Sequence, residues 1–378
     1  MKFEDVLGHE HLKNHLIKST DNGRISHAQL FVGKEGSGTL PMAIAYAQYI
    51  LASSSENPEI SDLKCEKLQH PDLHFAFPVA TNDKIKSKPV SNNFLEDWRN
   101  FISKKPYANL FEWLQFIGVE NKQGQIGVDE AEEIVKSLKL KSYEGGYKVM
   151  IIWMAEKMNS SAANKLLKLI EEPPEKTVFI LITENEQQII TTIKSRCQLL
   201  QFPLLSEADI TKGLIEKEGT DLPIAEQIAS QAGGSFNKAL HLLHNDNADE
   251  QFEQWFITWV RAAFKAKGNA SVIQDLISWS ETIAKSGRET QKRFLNYCLQ
   301  FFRQAMLLNY NADALVYLQP KTNFQLEKFA PFIHGGNILD INTELNNAIY
   351  HIERNGNAKI ILLDLSIKLT RLLHTKEA

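Results

Sequence analysis

A short glycine-rich loop is the first feature of the sequence that could do chemistry. Gly33, Gly36 and Gly38 lie in the run GKEGSG, and Thr39 and Leu40 follow it. Phosphate-binding loops have the pattern G-x-x-x-x-G-K-[ST], in which the lysine contacts the phosphates and the hydroxyl binds Mg²⁺. Thr39 stands at the lysine position and Leu40 at the hydroxyl position. The sequence keeps the glycine frame and lacks both the lysine that would contact the phosphates and the hydroxyl that would bind Mg²⁺.

A second element of such a site is also altered. The apolar run 148–155, KVMIIWMA, predicts a strand buried on both faces. Nucleotide hydrolysis needs acidic residues at the end of this strand, where the sequence has Trp153 and Met154. Phosphoryl transfer depends on positioning and charge neutralisation, so we predict no functional cofactor site and no metal. The alternatives are an atypical ATPase that uses Lys34 and Glu156, and a glycine loop that is only a tight turn.

The elements around the loop predict an α/β domain. Runs of strand-forming residues alternate with apolar residues at helical spacing through the first 205 residues, which is typical of a parallel sheet. Strands are predicted over 27–32, 148–155 and 177–183, and helices from Pro41, over 128–140 and over 162–170. The polar stretches 53–62 and 81–93 predict a loop and a mobile insertion.

The second half of the chain predicts helices alone. Ser206 is a candidate N-cap, with Asp209 three residues on. Aromatic residues from Phe252 to Phe264 repeat at helical spacing, which favours a helix core over a platform for stacking nucleobases. We therefore predict an α/β domain, a small helical domain and an all-helical C-terminal domain. Their predicted bounds are 1–205, 206–247 and 248–378.

Composition sets further limits. The 378 residues carry a net charge of -4, which gives no basic footprint for autonomous nucleic-acid binding. The three cysteines are scattered, which favours a reducing compartment. The longest apolar run is far too short to cross a membrane, so we predict a cytoplasmic protein. Cys65, His70 and His74 offer three possible zinc ligands, whereas structural zinc sites use four.

The chain resembles the clamp-loader branch of the AAA+ proteins. The resemblance covers about residues 1–245, and NAKIILLDLSIKLTRLL is similar to the closing helix of the family. It is carried by FEDVLGHEHLKNHL, GRISHAQLFVGKEGSG, KVMIIWMAEKMNSSAANKLLKLIEEPPEKTVFILIT, TTIKSRCQLLQF and GGSFNKALHLL. It implies a P-loop-type AAA+ domain with helices on both faces of a parallel sheet, a helical lid and an all-α collar.

The resemblance also implies a role for Ser195-Arg196-Cys197. Delta-prime subunits of the family keep this motif and lack a working phosphate-binding loop, and the chain is similar to that type. Arg196 would then be an arginine finger, given in trans to a neighbouring ATPase subunit, with Ser195 in the same motif. The implied partners are the tau/gamma ATPase subunits and the delta subunit of a hetero-pentamer. That complex opens a sliding clamp and places it on primed DNA for DNA polymerase III.

Two other interpretations stay open from the sequence. The chain could be a tau/gamma-like ATPase subunit with an atypical loop, or a scaffold in which Arg196 is structural. Thr183 stands where active relatives sense the γ-phosphate, and Lys238 stands where the lid often carries an arginine. Without a nucleotide, the simpler interpretation of Thr183 is a strand-end residue that bonds the backbone, and a solvated helix lysine explains Lys238 at least as well. Family members often carry a four-cysteine zinc module before His-Pro-Asp, whereas only Cys65 precedes that tripeptide here.

Overall fold

The computed structural model describes residues 1–244, 248–266, 269, 272–316, 320, 322 and 324–376. The chain forms two compact units. The first comprises residues 1–119 and 123–244, and the second comprises 120–122 and 245–378. The predicted lid segment from residue 206 belongs to the first unit, and its separation as a domain at residue 205 stays a prediction. The predicted boundary at 247 lies outside the described residues.

A five-stranded parallel sheet forms the centre of the first unit. Its strands are β1 (Ala28–Gly33), β2 (Leu73–Ala76), β3 (Lys148–Ile152), β4 (Thr177–Thr183) and β5 (Gln198–Phe202), in the spatial order β2-β3-β4-β1-β5. β1, β3 and β4 are buried along their whole length, which explains their continuous apolar sequences. The predicted parallel α/β architecture is confirmed.

Helices cover both faces of this sheet. The helices of the first unit are α1 (Glu10–Asp21), α2 (Thr39–Ser54), α3 (Pro58–Glu66), α4 (Leu95–Lys104), α5 (Leu110–Phe116), α6 (Val128–Lys139), α7 (Ser160–Glu171), α8 (Thr191–Lys194), α9 (Glu207–Glu218), α10 (Leu222–Ala232) and α11 (Phe236–Leu243). Phe31 and Ile151 face one apolar cluster with α2, while Leu30 and Ile152 face another with α6 and α7. The period-two alternation of side chains along each strand produces these two cores.

Two predicted segments have different bounds in the structure. The strand predicted over 148–155 ends at Ile152, because Met154 has a left-handed φ of 56° and the chain turns there. The loop predicted over 53–62 contains the last residues of α2 and the first turn of α3. Pro58 stands at the first helical position of α3, where its missing N–H costs nothing.

The insertion predicted over 81–93 is only partly irregular. Residues 81–90 contain no helix or strand, whereas Ser91–Phe94 form a 3₁₀ turn. Ser91 is buried, and its backbone N–H donates to the carboxylate of Glu130. This end of the segment is therefore packed against α6, which the polar composition did not indicate.

The remaining helices follow β5. Ser206 caps α9 as predicted, since its side chain accepts a hydrogen bond from the Asp209 N–H. The second unit contains α12 (Ala248–Lys265), α13 (Ile273–Ala284), α14 (Arg288–Asn309), α15 (Leu326–Phe329), α16 (Ile338–Glu353) and α17 (Ala358–Leu372). Among the described residues no strand follows Phe202, so the all-helical prediction is confirmed there. Nor does any helix in those residues combine the length and apolarity that crossing a bilayer requires.

The aromatic stripe of α12 is mainly helix core, as predicted. Phe252, Phe256 and Trp259 are buried in the apolar cluster of the second unit. Trp259 also stacks on Trp279, with ring centroids 4.9 Å apart. Phe264 is the exception, because its side chain is 40% exposed.

Candidate functional site

The glycine loop turns from the carboxyl end of β1 into α2. The backbone N–H of Ser37 donates to the carbonyl of Lys34 at 3.1 Å and closes the turn. Gly36 has a φ of +72°, and a Cβ there would lie 2.1 Å from Oγ of Ser235. The backbone N–H of Phe236, at the start of α11, donates to the Gly36 carbonyl at 3.1 Å. Gly36 thus makes room for α11, which lies directly on the loop.

The space beside the loop is filled by apolar side chains. Leu40 is buried in the same apolar cluster as Phe31. Trp153 and Met154, which follow β3, are also buried. They line a cavity of about 20 Å³, enough for roughly one water molecule. Sites for drug-sized ligands measure roughly 300–1,000 Å³.

Three acidic residues lie beside the glycine loop. Glu35, Glu156 and Glu184 lie together, and burial raises the pKa of Glu184 to about 8, with the charges of Glu35 and Glu156 adding to the rise. Burial also raises the pKa of Glu156, whose carboxylate accepts a hydrogen bond from the Glu184 N–H at 3.2 Å. Lys34 is exposed, and its Nζ donates to the backbone carbonyl of Glu184 at 3.3 Å. Near neutral pH the carboxyl of Glu184 therefore keeps its proton, and the three acidic side chains bring no positive charge to the loop.

Glu184 gives a pH dependence whose sign can be worked out. A carboxyl with a pKa near 4.5 when unfolded and about 8 when folded holds its proton more tightly in the folded state. The folded state therefore loses stability as the pH rises from 4.5 through 8. We expect Glu184→Gln to unfold at a higher urea concentration than the wild type at pH 9, with a smaller difference at pH 5. An equal difference at both pH values would contradict a raised pKa at Glu184.

A network of carboxylates and amides joins the loop to α5 and α11. Oε1 of Glu35 accepts hydrogen bonds from Nδ2 of Asn109 at 2.8 Å and from Nδ2 of Asn237 at 2.9 Å. The same Asn237 nitrogen donates to Oε2 of Glu112 at 2.8 Å. Glu112 is buried and also contacts Nζ of Lys105 at 3.1 Å. One continuous set of contacts thus fixes α11 to the loop.

Neighbouring groups stabilise the ionised form of Glu112. Burial alone would raise the pKa of Glu112. The side chain of His241, the backbone N–H of Asn109 and the amide of Asn237 outweigh burial and lower that pKa to about 2. The sequence carries one signal that indicates these residues. Asn109 and Glu112 form a capping box at the start of α5, an N-x-x-E pattern.

Arg196 lies far from the glycine loop. It precedes β5, in which Gln198 pairs with Gln29 and Phe202 pairs with Gly33. Strands rise about 3.3 Å per residue, so those two pairs are separated by roughly 13 Å along the sheet. Arg196 is therefore at the amino edge of the sheet, whereas the glycine loop is at the carboxyl edge. The structure does not bring the two predicted groups of site residues together.

Arg196 has two hydrogen-bond partners among the residues that the structure describes. Nη2 lies 2.9 Å from Oε2 of Glu171, and Nη1 donates to the backbone carbonyl of Thr192 at 2.9 Å. The Arg196 side chain is 32% exposed. The hydroxyl of Ser195 donates to the same Thr192 carbonyl at 3.2 Å. The side chains of Ser195 and Arg196 thus both donate to the same backbone carbonyl of α8.

The other candidate ligands have structural contacts. Burial raises the pKa of Cys65 to about 12. His70 accepts a hydrogen bond from the Asp72 N–H on Nδ1, and its Nε2 lies 3.2 Å from Glu144. No cluster of three or more His, Cys, Asp or Glu side chains that could hold a metal occurs in the part of the chain that the structure describes. Pro71 and Asp72 form a turn.

Thr183 and Lys238 are positioned by backbone contacts. The hydroxyl of Thr183 accepts a hydrogen bond from the Asn185 N–H at 3.1 Å, as expected of a residue that ends a strand. Lys238 lies in the first turn of α11, where its N–H donates to Oγ of Ser235 at 3.2 Å. Its side chain is half-buried, rather than fully solvated.

Comparisons with known proteins identify the family. The family model for DNA polymerase III, delta subunit, matches residues 8–206, which are 199 of the 378 residues. The delta' subunit of Bacillus subtilis DNA polymerase III is 28% identical over 308 residues, which cover 80% of this chain and 78% of that subunit. The tau subunit of the same organism is 29% identical over 248 residues, which cover 64% of this chain and only 37% of tau.

Solved structures of low sequence identity also match. A gamma-subunit-related protein of DNA polymerase III from Thermotoga maritima is 15% identical, with a TM-score of 0.35 over 95% of this chain and 99% of that one. The Bacillus subtilis clamp loader delta protein is 13% identical, with a TM-score of 0.33 over 96% and 99%. With the family model covering more than half of its residues, the chain belongs to the DNA polymerase III delta subunit family of clamp-loader proteins.

Proposed function

We propose that the chain is a delta-prime type subunit of a clamp loader, which hydrolyses no ATP itself and supplies Arg196 in trans to a neighbouring ATPase subunit. One observation carries this proposal. Arg196 lies at the amino edge of the sheet, away from the chain's own glycine loop at the carboxyl edge. An arginine in this position has no nucleotide of its own chain within reach, so a phosphate that it contacts must belong to another subunit.

The state of the chain's own cleft supports the same proposal. Lysine and Mg²⁺ neutralise the triphosphate in working sites, whereas Thr39 and Leu40 offer no charge. Glu35, Glu156 and Glu184 supply no positive charge to a nucleotide, and buried Trp153 and Met154 leave about 20 Å³. Phosphoryl transfer relies on charge neutralisation, so this cleft lacks what the reaction needs.

The surroundings of Arg196 suit an arginine finger. A guanidinium has five N–H donors in a fixed planar fork, and it stays charged at every physiological pH. One N–H of each Nη is committed to Glu171 or Thr192, which leaves one donor on each Nη for a partner. The side chain is partly exposed, so a phosphate of another subunit can approach it.

The assembly is part of the proposal. The chain would sit in a hetero-pentamer with tau/gamma ATPase subunits and a delta subunit, and would act in the cytoplasm on a sliding clamp and primed DNA. Residues 206–247 would form the lid and residues 248–378 the collar of the ring. The relatives named delta' and tau support such partners, because they are subunits of one polymerase.

Nucleotide binding tests the empty site directly. We expect no heat of binding when Mg-ATP is titrated into the purified chain, and no turnover above the blank. The double variant Thr39→Lys, Leu40→Thr restores the two missing side chains, yet we expect it to bind no better, because Trp153, Met154 and the carboxylates remain. Saturable binding by the wild type would contradict the proposal.

The second candidate is a tau/gamma-like ATPase subunit with an atypical loop. The 29% identity to the tau subunit over 248 residues favours it. In that case Lys34 and Glu156 would hold the nucleotide, and the same titration would show binding. Loss of that binding in Lys34→Ala would then establish the ATPase and remove the first candidate.

A further inference from the structure

We propose that Glu171 is a positioning residue for Arg196, which holds the guanidinium in place before a neighbouring subunit engages it. That Arg196 acts as an arginine finger rests on the proposed function, whereas its contact with Glu171 is a property of the free chain. The contact that motivates it is the 2.9 Å approach of Oε2 of Glu171 to Nη2 of Arg196.

Two anchors from different helices define the plane of the guanidinium. Glu171 is the last residue of α7 and binds Nη2, while the carbonyl of Thr192 in α8 accepts from Nη1. Nε is buried and makes no hydrogen bond to any described residue. A partner must therefore approach through the two terminal nitrogens, and the anchors fix which way their remaining N–H bonds point.

Both anchors are fixed by the core. Ile170 and Ile193 are fully buried in one apolar cluster, and Cys197 packs partly buried against it. Each polar residue of the contact is next in sequence to one of these three, since Glu171 follows Ile170, Thr192 precedes Ile193, and Arg196 precedes Cys197. Packing of the three apolar residues therefore sets the separation of the three polar ones.

The position of Glu171 is unfavourable for an acid by local rules. The carboxyl end of a helix carries a partial negative charge, so lysine and arginine are favoured there and glutamate is not. α7 nevertheless ends in Glu171, and Glu172 follows. The positive charge of Arg196 compensates for the unfavourable negative charge of Glu171 at this helix end.

Anchoring prepares the arginine for its partner. A long side chain that is already held loses less freedom when it contacts a phosphate. The ion pair is partly exposed, with 32% of the Arg196 side chain and 53% of the Glu171 side chain accessible, so its effect is limited. Exposed pairs of this kind correspond to at most about a fivefold change in an equilibrium or a rate.

The free chain gives the first test. The Nε–H signal of Arg196, assigned by its loss in Arg196→Lys, reports rotation about the Nε–Cζ bond in NMR spectra. We expect this rotation to become faster in Glu171→Gln and to stay unchanged in Glu172→Gln, the matched control that removes the adjacent charge. Unchanged rotation in Glu171→Gln would overturn the anchoring.

The reconstituted complex gives the second test. We expect Glu171→Gln to lower kcat for ATP by about two- to fivefold with little change in KM, and Glu172→Gln to leave both unchanged. In the Arg196→Ala background, Glu171→Gln should have no further effect. An equal decrease in that background would show that Glu171 acts apart from Arg196 and would overturn the inference. If Arg196→Ala leaves turnover intact while Glu171→Gln frees the guanidinium, the finger role is wrong and the anchoring stands.

Discussion

Replacing Arg196 with alanine will leave the free chain folded and will slow ATP hydrolysis at the neighbouring active site of the reconstituted complex by about 10³-fold. In the proposed role, the guanidinium of Arg196 supplies positive charge to the γ-phosphate in the transition state, and alanine supplies none. In the proposed complex the other active sites would have their own arginine fingers, so a single-turnover measurement of the affected site is needed. Arg196→Lys should recover only a small part of the rate, because a lysine keeps the positive charge but lacks the planar, two-pronged donor geometry of a guanidinium.

Lys194→Ala is the matched control for this prediction. Lys194 lies on α8, two residues before Arg196, and pairs with Glu186 at 2.7 Å within the chain. Removing it deletes one positive charge from the same edge of the sheet. We expect turnover in this variant within about twofold of the wild type, as for a weak surface ion pair. Equal losses in Arg196→Ala and Lys194→Ala would mean that assembly, rather than a finger, was damaged.

Replacing Glu112 with alanine will release α11 from the glycine loop. The buried carboxylate contacts Lys105, Asn237 and the side chain of His241, and its removal leaves the Asn237 amide without one of its two carboxylates. Lys105 is half-exposed and can turn to water, so we expect a loss of about 2–3 kcal/mol in the opening free energy of α11. Amide hydrogen exchange in α11 should then be roughly 30- to 150-fold faster.

The effect of Glu112→Ala depends on pH in a defined direction. Its lowered pKa, about 2 against 4.5 when unfolded, stabilises the folded state fully above pH 4.5. That contribution is lost as the pH falls toward 2. The difference between Glu112→Ala and the wild type should therefore be largest near neutral pH and shrink below pH 4.5.

Glu133→Ala provides the comparison for Glu112. Glu133 forms an exposed ion pair with Lys136 at 2.7 Å on α6, which is worth at most a few tenths of a kcal/mol. Its removal should leave exchange in α11 unchanged. Exchange in α11 that is insensitive to Glu112→Ala would refute the role of the carboxylate network.

The strands with strong apolar sequences could be predicted, and the weaker ones could not. β4 was predicted with its exact bounds, 177–183, because every residue of it is buried. β2 was missed, since LHFA is short and lies next to the His-Pro-Asp turn. β5 was missed because it lies at the edge of the sheet, where three of its five residues are exposed.

The candidate site was predictable in its residue types and not in its contacts. The missing lysine and hydroxyl at Thr39 and Leu40 are visible in any alignment to the loop pattern. The contacts of Glu35 with Asn109 and Asn237 join residues 74 and 202 positions apart. Separations of this size leave no periodic signal, so only the folded chain brings these side chains together.

The sequence by itself determined the parallel α/β core, the helical second half and the absence of the usual phosphate-binding side chains, because local patterns of burial and residue type encode all three. Tertiary structure alone decided that Arg196 and the glycine loop lie at opposite edges of the sheet and that Glu171 holds the guanidinium. The physical reason is that strand pairing sets the distance between the two groups, while burial of Ile170 and Ile193 in one apolar cluster positions the ion pair.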